Sequence, residues 1–425
     1  MKRRFFELLA IFPAMAMLSG CGPKEKMQKI TRLADYIYEV ETYTSLDYDY
    51  ADEYYYKNNF NWGGGCSAIT KMIDGHRIIG RNMDLNISHN CAYIVRTDNG
   101  VHQTVGLQYT FRDVSPTYAE VQEHGLGSEW SKLLPFFQDD VMNETGFHVE
   151  INMRHAEFWP NGDDMFACWG TNPDAERTVH MFELPIYLAQ NCTTVEEAKK
   201  YIKTLNIYSK EGYWNYCFII GDATGDAALL EFSMNEIYWF DEENIANGDL
   251  DYLNLGGQYP DLNYHAIAQT NFYLNFVSYV LQDTKSGLGR LRSMEDGIDE
   301  VTSRDKMYKL MDKISYSNFY LPYDECKAEH FDPRSEQIGE FTGGSYDIIM
   351  NDEYEEWIKA AMDAYSEPIR NMTREEKAKE NKYWESTFTE VVDCMDKTIQ
   401  VRMFENEDLM FKVTYESTER ITSIE

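Results

Sequence analysis

The sequence predicts an α+β protein built of layers around a largely antiparallel sheet. Two hairpin signals and one segregation of elements point to it. Asp74-Gly75 separates two strand-like runs, Cys66–Met72 and His76–Gly80, and Asp222–Gly225 separates Cys217–Gly221 from Ala227–Phe232. Asp-Gly between alternating apolar residues is a strong short-range hairpin signal, because both turn residues tolerate positive φ. Helical patterns then interrupt the strands before strand patterns return near the C-terminus, which is the order of an α+β chain and not of alternating βαβ units.

The remaining elements follow from local patterning. Strands are expected at Ala92–Arg96, Phe147–Met153 and Ala266–Thr270, with Met142-Asn143-Glu144-Thr145-Gly146 as the turn into the second of these. Met181–Gln190 reads as a helix. A second helix is capped by Thr193/Thr194, carries Glu196 and Glu197 in its first turn, and ends at Leu205-Asn206. Charged helices are expected over about 352–383 and strands at about 390–395, 398–403 and 409–415.

Composition narrows the function. The 425 residues carry 72 acidic against 39 basic side chains, a formal charge of −33. That balance opposes binding to nucleic acid or to an anionic membrane surface, both of which require Lys and Arg against phosphate. Eight cysteines stand singly and no C-x-x-C pair exists, so neither a zinc ribbon nor a disulfide scaffold is indicated. Most of these thiols are expected to be small buried core residues.

The N-terminus has the pattern of an export signal. Lys2-Arg3-Arg4 precedes a mostly apolar run from Phe5 to Leu18, followed by Leu18-Ser19-Gly20-Cys21. This resembles a bacterial lipobox, whose cysteine is lipidated and becomes the new N-terminus. Three regions follow: residues 1–21 as lipoprotein signal, 22–65 as tether and propeptide, and 66–425 as the main folded domain. The expected location is the cell envelope after export across the inner membrane, with lipid on Cys21 as anchor and release possible on propeptide cleavage. Within the propeptide, Asp35–Tyr56 holds eight tyrosines and seven acids without a Lys or Arg. It reads equally as an edge strand or groove-filling segment and as a solvated acidic spacer; one expectation is that it occupies the substrate groove until cleavage.

Gly63-Gly64-Gly65-Cys66 ends that segment. A Gly-Cys junction at the start of a strand is where self-cleavage would expose an N-terminal cysteine. Its α-amine, with a reference pKa of about 7.7–8.0, can serve as general base for its own thiol. Arg81 and Asp84 leave the hairpin's second strand, which folds back beside Cys66. A guanidinium lowers a thiol's pKa and a carboxylate can orient an α-ammonium. On pattern alone, a cysteine near an Arg and an Asp is more often structural.

Cys66-Ser67-Ala68-Ile69, Asp74-Gly75 and Gly80-Arg81-Asn82-Met83-Asp84 resemble the start of the mature choloylglycine hydrolases, which include bile salt hydrolases and penicillin V acylases within the N-terminal-nucleophile (Ntn) superfamily. Met142-Asn143-Glu144-x-Gly146 with Ile151-Asn152, Asn191–Lys200, Gly221-Asp222-x-x-Gly225 with Leu230-Glu231, Gln269-Thr270-Asn271-Phe272 and Ser286-Gly287-Leu288-Gly289-Arg290 are similar to later family segments, in the right order. The resemblance covers most of residues 66–292; the hairpin is one residue shorter than usual, and Met153-Arg154 stands where an aromatic-Pro pair usually follows.

That resemblance implies a four-layer αββα Ntn-hydrolase sandwich with two packed, largely antiparallel sheets. It implies autoproteolysis between Gly65 and Cys66, attack on a linear non-peptide amide by Cys66, and support from Arg81 and Asp84. The Asn271 side chain and the Asn152 backbone N–H would form the oxyanion hole, with Arg290 completing the polar cluster. No metal or organic cofactor is implied, and the partner is a small-molecule amide, with homo-oligomers possible. Conjugated bile salts or penicillin V are the implied substrates, Asn152 tilting toward the former. An acyltransferase, an N-acyl amino acid or lactone amidase, a papain-like Cys–His enzyme, or a surface lipoprotein that only binds ligands are the competing readings.

Overall fold

The computed structural model describes residues 28–43, 45–57, 64–87, 91–98, 100–109, 116–154, 168, 170–209, 215–233, 235–247, 265–271, 288–319, 372–380 and 384–425. The lipobox with Cys21, the Ser286-Gly287 pair, Phe272 and most of the charged region 352–383 lie outside these residues.

In chain order the strands begin with β1 (Gln28–Ala34), β2 (Ile37–Thr42), β3 (Gly64–Ile73), β4 (His76–Asn86), β5 (Ala92–Thr97), β6 (Thr104–Tyr109), β7 (Asp140–Asn143), β8 (His148–Arg154) and β9 (Arg177–His180). They continue with β10 (Leu205–Tyr208), β11 (Asn215–Gly221), β12 (Ala227–Ser233), β13 (Glu236–Asp241), β14 (Ile267–Gln269), β15 (Trp384–Asp393), β16 (Thr398–Met403), β17 (Met410–Val413) and β18 (Thr418–Ile421). A nine-stranded sheet runs β1-β2-β5-β6-β7-β8-β11-β12-β13, and a seven-stranded sheet runs β14-β3-β4-β15-β16-β17-β18. Every pairing in the second sheet is antiparallel, and in the first only β2–β5 is parallel.

Alternation along single strands sets the layers, since successive side chains on a strand point to opposite faces. On β4, Gly80 and Asn82 face the helix Arg304–Lys313: Asn82 Nδ2 donates to Met311 O at 2.7 Å, and a Cβ on Gly80 would lie 2.7 Å from the Met311 side chain. The intervening Arg81 points the other way, onto Glu150 of β8. On the nine-stranded sheet the helix Leu184–Asn191 covers the face opposite Glu150, with Asn143 Nδ2 donating to Ala189 O. Helix, sheet, sheet, helix is the four-layer αββα order.

Both hairpins form where the turn residues place them. Asp74 and Gly75 take φ values of 50° and 85°, and β3 and β4 pair from Ile73↔His76 back to Gly64↔Leu85. Asn143 Oδ1 accepts from the backbone N–H groups of Thr145 and Phe147, making the side-chain turn that leads into β8. Thr194 caps the helix Val195–Tyr201. That helix ends earlier than its sequence pattern predicts: Leu205 and Asn206 open β10, because a parallel partner, β9, is available there.

In the tyrosine-rich segment the strand reading holds in part: Ile37–Thr42 pairs as a strand, but as an interior and not an edge strand of the large sheet. Tyr48–Lys57 is a helix with Ala51 fully buried, so the segment is not a solvated spacer. Ile37 and Val40 are fully buried, each contributing about 1.5–3 kcal/mol by leaving water. The six described cysteines are all buried and none is in a disulfide, as is usual for core residues of this size. Among the described residues no helix is long and apolar enough to cross a membrane.

Candidate active site

Cys66 sits on β3 opposite Met83 of β4, and Gly65 sits opposite Asp84. Alternation therefore splits the site between two faces of one sheet. The Cys66 side chain lies between the sheets with Met83 and Arg81, while Asp84 and Ser67 lie on the helix-covered face.

Two predicted residues hold the Cys66 backbone, and a third, Asp84, joins them through Arg290. The Cys66 N–H donates to Asn271 Oδ1 at 3.2 Å, and Cys66 O accepts from Arg290 Nη1 at 3.2 Å. The same Arg290 nitrogen donates to Asp84 Oδ2 at 3.0 Å and Ser67 Oγ at 2.9 Å, and its Nη2 reaches Asn271 Oδ1 at 2.8 Å. A guanidinium can only donate, so Asn271 must turn its oxygen toward Arg290 and its NH₂ away. That NH₂ donates to Met153 O at 2.7 Å. Asp84 is held from its other side by Ser386 Oγ. Asp84 thus acts on Cys66 through Arg290 and the Gly65 register, and not by facing the thiol.

Asn152 lies one residue from this meeting point. Its side chain donates to Glu150 Oε1 at 3.2 Å, and its neighbour Met153 offers the backbone carbonyl that accepts from Asn271. Asn152 thus lies on β8 directly beside the site.

Arg81 is enclosed by carboxylates. It pairs with Asp140, with Glu150 at 2.8 Å and with Glu390 at 3.6 Å, and its Nη2 donates to Ile151 O. All four side chains are completely buried. Burial pushes Asp139 up to about 8 and Glu150 and Glu390 up to about 7, with the Arg81 charge pulling each back down. His148, against Asp140 at 3.2 Å, is driven down to about 3 by the same burial.

The thiol follows the same physics. Burial pushes Cys66 up to about 12; the Arg81 charge and the Met153 backbone oppose this, and Asp84 and Glu150 add to it. With the Gly65–Cys66 bond intact, the group is a protonated thiol directed at Met83 Sδ, 3.4 Å away. Among the described residues the Cys66 sulfur bonds to Met83 and not to a histidine.

Sequence reasoning missed Ser67, Ser386, Asp140, Glu150 and Glu390. A signal existed for two of them. Glu150 shares its strand face with Asn152, and Glu390 sits mid-strand among apolar residues, where an unpaired acid is costly. Of the clusters able to hold a metal, His76, Asp393 and Asp396 lie together at the hairpin end, but Arg304 already supplies their positive charge at 3.0 and 2.8 Å.

Residues 66–269 match the family described as linear amide C-N hydrolases, choloylglycine hydrolase family. No curated protein matches the sequence. Among solved structures, one variant of the conjugated bile acid hydrolase from Clostridium perfringens is similar at 13% identity, covering 85% of this chain and 98% of that one, TM-score 0.40. A second variant of that hydrolase gives 16% identity, coverages of 84% and 98%, and a TM-score of 0.42. Penicillin V acylase from Agrobacterium tumefaciens gives 11% identity, coverages of 85% and 99%, and a TM-score of 0.34.

Proposed function

Since this chain belongs to the choloylglycine hydrolase family and is a hydrolase of carbon–nitrogen bonds in linear amides, we propose that Cys66, freed by cleavage of its own Gly65–Cys66 bond, is the nucleophile. The observation that carries the reading is the capture of both backbone groups of Cys66, its N–H by Asn271 and its carbonyl by Arg290. An ordinary strand residue uses those groups for the sheet; here side chains hold the atom that would become the α-amine.

Self-cleavage is an acyl shift followed by hydrolysis. The Cys66 sulfur attacks the Gly65 carbonyl carbon, the C–N bond breaks, and the leaving nitrogen takes the thiol proton to become the α-amine. Water then hydrolyses the thioester, giving a Gly65 carboxylate and the free thiol. In turnover the neutral α-amine takes the thiol proton as sulfur attacks the substrate amide, and returns it to the leaving amine; water then hydrolyses the acyl thioester, releasing the acid and restoring the thiol. Burial and two neighbouring guanidinium groups favour the neutral amine, and Asp84 through Arg290 limits that shift. The Asn271 side-chain amide and the Asn152 backbone N–H are the donors for the oxyanion in this reading. Gly65 and Cys66 are thus the processing pair, and Arg81, Asp84, Asn152, Asn271 and Arg290 the supporting set. We also place the protein in the cell envelope, exported with lipid on Cys21.

Denaturing mass analysis of purified protein tests the processing step. A fragment beginning at Cys66 is expected, and a dominant N-terminus elsewhere sinks the reading. Glyco- and tauro-conjugated bile acids, penicillin V, N-acyl amino acids and N-acyl homoserine lactones, compared by kcat/KM, identify the acyl group; conjugated bile salts are expected to lead, and amine acceptors test for acyl transfer. Asn271→Ala is expected to lower kcat by about 10²–10³-fold, the usual cost of one oxyanion donor, with a smaller change in KM. Wild-type kcat in that variant removes Asn271 from the mechanism.

A further inference from the structure

We propose that cutting Gly65–Cys66 does not release the preceding segment: residues 28–57 stay seated as a second chain, and the mature enzyme is a non-covalent two-chain complex. This rests on the self-cleavage proposed above, but the retention is a property of the packing.

The segment enters the body through one strand and one helix. β2 pairs in parallel with β5 over six residues, from Ile37↔Ala92 to Thr42↔Thr97, and β1 pairs on its outer side. Tyr36 O and Thr42 O, at the two ends of β2, accept from Ala92 N at 2.8 Å and Asp98 N at 3.1 Å. Removing β2 would turn β5 into an unpaired edge, its six residues now fully or nearly fully buried. Ile37 and Val40 would leave holes in the same core cluster that contains Cys66. Glu39 forms an ion pair with the buried Arg96 and accepts from Thr418 Oγ1 at 2.9 Å, so β2 also ties the large sheet to the C-terminal strand of the other.

The helix Tyr48–Lys57 grips a different surface. The Tyr48 ring lies 4.4 Å from that of Tyr187 and 5.2 Å from that of Phe136, and Arg177 stacks 5.0 Å over it. The same Arg177 reaches Asp52 at 3.1 Å and Asp49 at 3.3 Å. Ala51 is fully buried. The acids that make the segment look like a solvated spacer therefore include the partners of body arginines.

The contacts holding 28–57 are thus of the kind that holds the rest of the sheet, and none of them passes through the Gly65–Cys66 bond. Cleavage changes connectivity at one end of β3 and leaves the β2–β5 ladder and the Arg177 site as they were. Where Cys21 carries lipid, the same grip keeps the cut enzyme at the membrane, so activation and release are separate events.

The test uses the full chain with a C-terminal tag, purified without denaturant. Denaturing analysis is expected to give two polypeptides, and native mass spectrometry one species equal to their sum. Two polypeptides on denaturation with only the tagged fragment surviving natively overturns the inference while leaving self-cleavage standing. A single uncut chain would instead count against self-cleavage, so a second arm supplies the cut independently. Cys66→Ala carrying an inserted protease site within residues 58–63 is cut by that protease. Co-elution of both fragments on size exclusion after dilution supports retention, and loss of the amino-terminal fragment refutes it. In the same protein, Arg177→Ala is expected to raise the dissociation rate of the fragment at least about tenfold, since it removes the ion pairs and the ring contact together; an unchanged rate overturns the role given to the helix.

Discussion

Cys66→Ala leaves a single uncut polypeptide and abolishes amide hydrolysis, by about 10⁴-fold or more if any residual rate is measurable. One sulfur atom is asked to perform two reactions, attack on Gly65 and attack on substrate, and alanine offers no electrons for either. Losses of about that size or larger accompany removal of the nucleophile from hydrolases that act through an acyl-enzyme. The fold is expected to survive. The side chain is small and buried, its sulfur lies against Met83 Sδ, and the backbone bonds to Asn271 and Arg290 do not need the sulfur. Denaturing gel, melting temperature and kcat/KM on one variant decide the matter. A processed, active Cys66→Ala protein refutes the nucleophile; an uncut, inactive one with a melting temperature within a few degrees of wild type supports it.

Arg81→Met destabilises the protein by about 3–5 kcal/mol near pH 8, the usual cost of removing one partner from a buried ionic cluster. Arg81 is the cation that Asp140, Glu150 and Glu390 share in the space between the sheets. The loss depends on pH with a definite sign. Glu150 and Glu390 are raised to about 7 and Asp139 to about 8 in the folded protein, far above their unfolded values of about 4. Between these limits the folded state binds more protons than the unfolded one, so their contribution to stability is greatest below about pH 4 and falls as pH rises through 7 and 8. Arg81 lowers all three values and blunts that fall. Without it the carboxyls stay neutral to higher pH, so the variant loses least near pH 5 and most near pH 8. Urea melts of both proteins at the two pH values check this; equal losses at both would show that Arg81 is not compensating ionised carboxylates. The thiol also loses its main pKa-lowering neighbour, so activity is expected to fall even where the variant is folded.

Much of the site was legible in the sequence because its core is local. Cys66, Arg81 and Asp84 lie on the two arms of one hairpin, and the Asp74-Gly75 turn fixes which residues of those arms face each other. A two-residue turn leaves little freedom of register. Asn271 and Arg290 come from distant segments, and no spacing rule places them beside Cys66; the family resemblance did. Asn152 was identified on β8, the strand whose Met153 carbonyl accepts from Asn271, but how that strand lies against Cys66 depends on the stacking of two sheets.

The carboxylate partners show where local reading ends. Ser386 and Glu390 are both even-numbered residues of β15, and an unbroken strand would put them on one face. The register instead slips between Ser386 and Phe388, so Ser386 pairs with Asp84 on the helix side and Glu390 pairs with Arg81 between the sheets. A bulge inserts one residue and re-aims the side chains on either side of it. Nothing in the run Trp384–Asp393 announces that slip, because it is set by the neighbouring strand. The tyrosine-rich segment is a parallel case. Its strand β2 bonds to β5, some fifty residues on, in the one parallel pairing of the large sheet; parallel partners share no turn, so no adjacent residues encode the match.

By itself, then, the sequence determined the layered α+β class, the hairpin that sets Cys66 across from Met83 and near Arg81 and Asp84, and the family motifs that single out that cysteine. Only the tertiary structure decided that the thiol is buried against a shared Arg–carboxylate cluster, and that the segment before it is part of the sheet. The physical reason is common to both. Hairpin geometry is fixed by a few dihedral angles in neighbouring residues, whereas burial and protonation depend on which distant strands pack together and on how many charges they bring into the same low-dielectric space.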